Sequence, residues 1–401
     1  MIPSPPCRPW GGLAPVSVVF AFDERLGGLA GVTATALEAT GRTRGRVTGL
    51  ADLCLWPSGG LAGVRLSADA ASLLAFRQAG PGLAALPSAV GPPFVRLARP
   101  RLWPWGGEGF AVCGLQEGVG LVLASPAWDQ APTVQPLGSV VTDPETGSVI
   151  GALAGDAGLE VLGETLFVAT HTTALPASEG WAPLGVETST LGLSRRLVEA
   201  PPEQGDGLVV WRTTAVAAWA GRFWVAATRR VGAVERHRLY SLVPGGAPGV
   251  GFEMGGVDGS DSLPWGLMVQ AAEPEGAPAP EARIGGLWAG DRLVIGVVPA
   301  AVDTASGRLS ASGQAGVYVV GADLVPVFRA LPTGQWLAGA VCLGNPAQSL
   351  GAALWLCRLL DAQGGARMAL TRDFLTWSVD PEGVEPVALH AGCTVRWGWL
   401  A

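Results

Sequence analysis

Short apolar stretches alternate with Gly- and Pro-rich breaks along the whole chain. The clearest unit is Ala217–Arg230, where Trp219-Ala-Gly-Arg makes a tight turn into the apolar strand Phe223–Thr228. Gly supplies the positive φ that a short hairpin needs. Variants of the unit recur. Trp56-Pro-Ser-Gly-Gly leads into Leu61–Leu66, and Trp105-Gly-Gly-Glu-Gly into Phe110–Cys113. Leu162-Gly-Glu leads into Leu166–Thr170, Trp288-Ala-Gly-Asp into Leu293–Val298, and Leu343-Gly-Asn-Pro into Ala353–Cys357. A last copy spans Cys393–Trp399. Each copy has a second part, an apolar strand followed by a short extended piece. Gly120–Ser125, Thr190–Ser194, Arg238–Val243, Gly316–Gly321 and Arg367–Thr371 are its strands. Apolar residues occupy both faces of these strands, as in sheets covered on both sides. Ser67–Arg77 reads as strand–turn–strand rather than helix.

The seven copies are spaced by about 55 residues, close to the period of circular β-sheet repeats. Pro15–Glu24 is a second part with no first part before it, and Cys393–Ala401 is a first part with nothing after it. Together they make one whole unit. Pairing them would remove exposed sheet edges. In this arrangement the chain resembles a seven-bladed β-propeller. That resemblance implies an all-β fold, a single β-propeller with seven blades of four antiparallel strands, closed in one split blade by its N- and C-terminal strands. Residues 1–14 read as an N-terminal arm and 15–401 as one propeller domain. Blades one to six are expected at 45–90, 93–137, 139–204, 208–254, 263–331 and 334–380. The split blade takes two outer strands from 15–40 and its inner strands from 384–401.

In a propeller the A–B and C–D turns share one end of the disc, and the B–C loops and D–A crossovers share the other. Here the A–B turns are mostly short and Gly-rich. The long segments are His171–Ser189, Pro299–Ala315 and Gly255–Pro264, and all belong to the second end. Long loops on a rigid scaffold concentrate binding residues, so this end is the expected recognition face.

Composition narrows the function. Among 401 residues only 15% are charged, and the formal net charge is −7. The mean hydropathy of +0.35 comes from buried strands rather than from an uncharged run long enough to span a membrane. No basic patch for phosphates stands out, so neither nucleic-acid binding nor membrane insertion is expected. The N-terminus lacks the apolar segment of a signal peptide, and the expected location is cytoplasmic or virion-associated. The chain has no lysine and one asparagine, Asn345, which excludes a P-loop or Schiff-base lysine and points to a GC-rich genome. Its six cysteines form no CxxC and read as small buried hydrophobes in a reduced protein.

Leu370-Thr-Arg-Asp373-Phe-Leu-Thr-Trp377 is similar to the Asp box of sialidase-type propellers, without its Gly and in a single copy. A sialidase-like site would need a tyrosine nucleophile, and the chain has two tyrosines, Tyr240 and Tyr318. No zinc spacing, nucleophile elbow or dinucleotide fingerprint occurs, and no catalytic residue or cofactor is assigned. Trp56, Trp105, Trp219 and Trp288 repeat before the Gly turn and read as inter-blade packing. The candidate ligand-binding residues are Trp181 and His171 in the long loop, with Arg229, Arg230, Arg236 and His237 flanking a hairpin tip. Asp258-Gly-Ser-Asp261 offers a few oxygens for a cation. The pattern suggests a non-enzymatic binding or assembly module. It would be a phage virion or tail-associated protein, taking a protein partner or surface glycan on the loop face. The alternative is a lectin or a sialidase- or glycosidase-like enzyme.

Overall fold

The blades follow from the repeat: an apolar strand, a turn, and a second apolar strand that can only bury both faces by stacking on a neighbouring sheet. The computed structural model describes residues 14–22, 32–47, 49–55, 61–67, 71–78, 92–105, 109–116, 119–125, 133–138, 140–142, 149–153, 158–163, 165–172, 175–176, 182–189, 195–200, 208–231, 234–246, 249–254, 282–299, 302–303, 308–309, 316–332, 334–343, 353–361, 363–387, 389 and 394–400. Among them there is no helix. The strands form seven small antiparallel sheets arranged in a ring, the arrangement of a seven-bladed β-propeller.

The chain begins with β1 (Ala14–Phe22), β2 (Val32–Glu38) and β3 (Thr43–Val47). Blade one is β4 (Leu50–Leu55), β5 (Leu61–Leu66), β6 (Ser72–Gln78) and β7 (Phe94–Val95). Blade two is β8 (Ala98–Trp105), β9 (Gly109–Gln116), β10 (Gly120–Ser125) and β11 (Thr133–Gly138). The hairpin β12 (Val140–Thr142) and β13 (Val149–Leu153) precedes blade three. That blade holds β14 (Leu159–Leu162) and β15 (Thr165–Thr172), then, after the short β16 (Leu175–Pro176), β17 (Ala182–Ser189) and β18 (Arg195–Ala200). Blade four is β19 (Leu208–Trp219), β20 (Arg222–Val231), β21 (Val234–Leu242) and β22 (Gly249–Met254). Blade five starts with β23 (Ala282–Ala289) and β24 (Leu293–Pro299) and carries a small hairpin, β25 (Val302–Asp303) and β26 (Arg308–Leu309). It ends with β27 (Gly316–Val320) and β28 (Pro326–Ala330). Blade six is β29 (Gln335–Leu343), β30 (Leu354–Asp361), β31 (Ala366–Thr371) and β32 (Ser378–Val379). The last strand is β33 (Thr394–Leu400).

The seventh sheet has the order β3-β2-β1-β33. β1 pairs with β33 from Ala14↔Leu400 to Phe20↔Thr394. The division differs from the sequence expectation: three strands come from the first part of the chain and one from the last. Thr43–Val47 therefore belongs to this sheet, and blade one starts at Leu50. The expected arm, residues 1–14, lies outside the described residues except for Ala14. First strands of successive blades meet around the ring: β33 with β4, then β8, β14, β19, β23 and β29 in turn, with β1 against β29.

The core sits between blades rather than within them. Ala62, Val64 and Leu73 of blade one pack with Val112 and Val122 of blade two. Ala111, Cys113 and Leu123 meet Leu159, Leu166 and Val168 of blade three. Phe167 and Leu184 meet Phe223 and Tyr240 of blade four. Trp219, Trp224 and Leu239 meet Leu293, Ile295 and Tyr318 of blade five. Trp288 and Val317 meet Leu337, Trp355 and Phe374 of blade six. Val341, Leu356 and Met368 meet Val19 and Leu37 of the seventh sheet. Apolar residues on both strand faces follow from this stacking. Trp219 and Trp288 are the inter-blade packing residues expected of them. Trp56 lies outside the described residues, and Trp105 ends β8.

Within Ser67–Arg77, read as strand–turn–strand, Ser72–Arg77 is strand and residues 68–70 lie outside the described residues. The Ser67 hydroxyl accepts the Ser72 N–H at 3.0 Å. Blade three departs from the expectation. Its third strand is Ala182–Ser189, read from the sequence as part of a long loop. Thr190–Ser194, expected as that strand, lies outside the described residues. Pro183 and Glu187 broke the apolar pattern. A register shift between Pro183 and Gly185 absorbs the proline, and Glu187 is buried against Arg196.

Candidate functional site

The two ends of the disc are built differently. At the A–B and C–D end, acids join one blade to the next. In blade four this end carries the A–B turn Ala220-Gly221, with φ of 52° and 73°. Asp291, in the first turn of blade five, accepts the Trp355 indole N–H at 2.9 Å and the Ala353 N–H at 3.2 Å, both from blade six. Arg292 pairs at 2.5 Å with Oδ2, the oxygen that also takes the Ala353 N–H. Glu187 of blade three accepts the Gly245 N–H of blade four at 3.2 Å. Arg196 bridges Glu187 at 2.6 Å and the Gly246 carbonyl at 2.7 Å. Nearer the middle of blade one, buried Asp52 accepts Leu53 N–H at 2.9 Å and Leu102 N–H of blade two at 2.7 Å. These carboxylates are committed to structural donors.

Asp373 belongs to the same end, in the C–D turn of blade six. It accepts the N–H groups of Leu375 at 2.9 Å and Thr376 at 2.8 Å. Those donors, chiefly Thr376, hold its carboxyl below the usual carboxylate range. Phe374 takes a positive φ of 58° and stacks edge-on against Trp355 and Trp377. The Asp-box-like segment is therefore a self-satisfied turn over a core aromatic. Both tyrosines are buried between blades, and burial pushes the Tyr318 phenol up. Neither is placed as an accessible nucleophile.

The opposite end carries the additions. β15 outgrows blade three. Its first half pairs with β17, while its last residues pair with β13 and β19 at Gly151↔Thr172 and His171↔Arg212. β16 adds at Leu175↔Val209. The extended ends of β19, β20 and β21 complete a raised sheet joining blades three and four. β25–β26 stands in the corresponding connection of blade five.

Five of the six candidate ligand residues fall on that raised sheet. One row reads His171–Arg212–Thr228–His237 across four strands. The next reads Trp211–Arg229–Arg236, and the one beyond it Val210–Arg230–Glu235. Arg230 stands opposite Glu235, and Arg238 opposite Glu253. Arg212, Arg229 and Arg236 have no acid opposite them in the ladder, and Arg229 stands directly opposite Arg236. The hairpin tip of Arg229–His237 matches the sequence reading. Trp181, Asp258 and Asp261 lie outside the described residues. Among the described residues no three His, Cys, Asp or Glu group as a metal site would require.

Arg212 and Trp211 escaped the sequence reading. Counting back from the Ala220-Gly221 turn sets Arg229 against Arg212. A register shift between Thr213 and Ala215 moves it to Trp211.

The fold defines the class, a seven-bladed β-propeller whose elaborations gather at one end. The chain matches no family model, and no curated protein is significantly similar to it.

Proposed function

We propose that the protein is a non-enzymatic binding or assembly module that presents the raised sheet of blades three and four to a protein partner or a surface glycan. One observation carries the reading. Strand register sets His171, Arg212 and His237 in one row of a single sheet, Arg229 and Arg236 in the next row and Arg230 in the one beyond, at the end bearing the long connections. The other end carries acids committed to structural donors, which suits a rigid mount. In its finer form, the module is a component of a bacteriophage virion or tail, cytoplasmic until assembled. The low charge, the absence of lysine and the lack of any catalytic signature support that form.

Because the chain has no lysine, the test uses carboxylate crosslinking with a dihydrazide, on tagged protein recovered from its native cells or particles. Partner crosslinks at Glu235, Glu253 or Asp303 support the reading. Crosslinks confined to the Asp373 end contradict it. Recovery only as a free monomer, absent from any particle, contradicts the virion form.

A further inference from the structure

We propose that a cleft on the flank of blade six binds a small monocarboxylate with an apolar body. The cleft measures about 320 Å³ and is lined by Arg358, Met368, Asp380, Pro381, Val384 and Val387, among others. It opens on the side of blade six turned toward the seventh sheet, where Leu356, Met368, Val387 and Leu389 form the core. Arg358 stands opposite Met368 on one side and Gly339 on the other, so no bulky neighbour on β29 crowds it.

The charge in this cleft is unbalanced. The Arg358 guanidinium is half-buried. It donates one N–H to the Leu389 carbonyl at 3.3 Å, and no carboxylate among the described residues pairs with it. The acid at the rim is engaged elsewhere: Asp380 takes Nε of Arg367 at 2.9 Å and its terminal nitrogen at 2.8 Å. A guanidinium offers a planar fork suited to a carboxylate, and apolar walls favour an aliphatic or aromatic body behind it. The volume lies at the small end of small-molecule sites, roughly 300–1,000 Å³, so the body is short.

The wall is fixed in advance. Asp380 holds a left-handed backbone with φ of 48°, and its N–H donates to the Met368 carbonyl at 2.7 Å. Val384 N–H donates to the Pro381 carbonyl at 3.2 Å, and Pro381 and Pro386 lock their own φ. A pre-formed wall lowers the ordering cost of binding. This site is separate from the raised sheet and stands whether or not that sheet binds a partner.

The test is ligand-observed NMR and calorimetry on the full chain with hexanoate, hexanamide, and an acetylated pentapeptide ending in valine as its free acid or its amide. Hexanoate or the peptide acid is expected to bind at millimolar concentration, with the amides weaker by about ten-fold or more. Binding by hexanoate identifies a free acid as the source, and binding by the peptide acid alone identifies a polypeptide C-terminus. Arg358→Gln should weaken binding as amidation does. Val384→Asp, which keeps Arg358 and its bond to Leu389, should abolish binding in a chain whose circular dichroism retains the β-sheet signal of the parent. Failure of both acids to bind overturns the proposal, as does binding that survives amidation. If Arg358→Gln fails to fold, the amide comparison and Val384→Asp decide.

Discussion

Asp291 accepts the indole N–H of Trp355 at 2.9 Å, and that bond runs from the first turn of blade five to the second strand of blade six. Trp355 also packs edge-on against Phe374 at 5.5 Å, so one side chain serves both the polar and the apolar seam. Trp355→Phe keeps the ring contact and removes the donor. Net loss should be about 1–2 kcal/mol, read as a lower urea midpoint at unchanged slope. An unchanged midpoint would show that the bond contributes nothing.

Glu187 is buried, and Arg196 is its charged partner. Removing Arg196 leaves a carboxylate with only the Gly245 N–H as a donor from the adjoining blade. Arg196 is partly exposed, and solvent screening reduces the effect below that of a fully buried pair. Arg196→Ala should cost about 1–3 kcal/mol in denaturant unfolding. The loss should exceed that of Glu187→Gln/Arg196→Met, which removes both charges together.

The repeat made the architecture legible because each blade has to bury two faces, and two-faced apolar strands between Gly turns are visible in sequence. Blade four, expected at 208–254, spans Leu208 to Met254 as read. What escaped was local. Pro183 and Glu187 disguised a strand, because a bulge and a buried ion pair make both tolerable there. The Arg212 row escaped because a single register shift in β19 changes every partner beyond it. The strand Thr43–Val47 escaped as a unit, its residues 45–47 falling in the expected blade one, because Arg44 and Arg46 interrupt its apolar pattern, as an outer strand permits.

Two glycines in equivalent turns should respond differently to alanine. Gly290 lies against Cys342 and Trp355, so an added Cβ would fall on both. Gly221 has open space around it but a φ of 73°. Gly290→Ala should cost about 1–3 kcal/mol by overpacking the seam. Gly221→Ala should cost about 1 kcal/mol from backbone strain alone. Thermal or urea unfolding of both variants separates the causes, and equal losses would contradict the close approach at Gly290.

Asp373 gives a pH dependence with a definite sign. Its carboxyl is lowered in the folded chain by the Thr376 and Leu375 N–H groups. Its contribution is therefore complete above the ordinary carboxylate range and is lost as pH falls through the lowered folded value. Asp373→Asn should destabilise the protein at neutral pH and flatten the acid side of the stability curve. A parallel curve, shifted but equally steep, would contradict the assignment.

The most direct measurement removes the last strand. Deleting residues 394–401 strips β33 from β1, whose partners run from Ala14↔Leu400 to Phe20↔Thr394, and leaves the β1 edge unpaired. If the two ends hold the ring shut, the shortened chain should melt well below the full one and self-associate on size-exclusion chromatography. A shortened chain that stays monomeric and melts like the parent would contradict it.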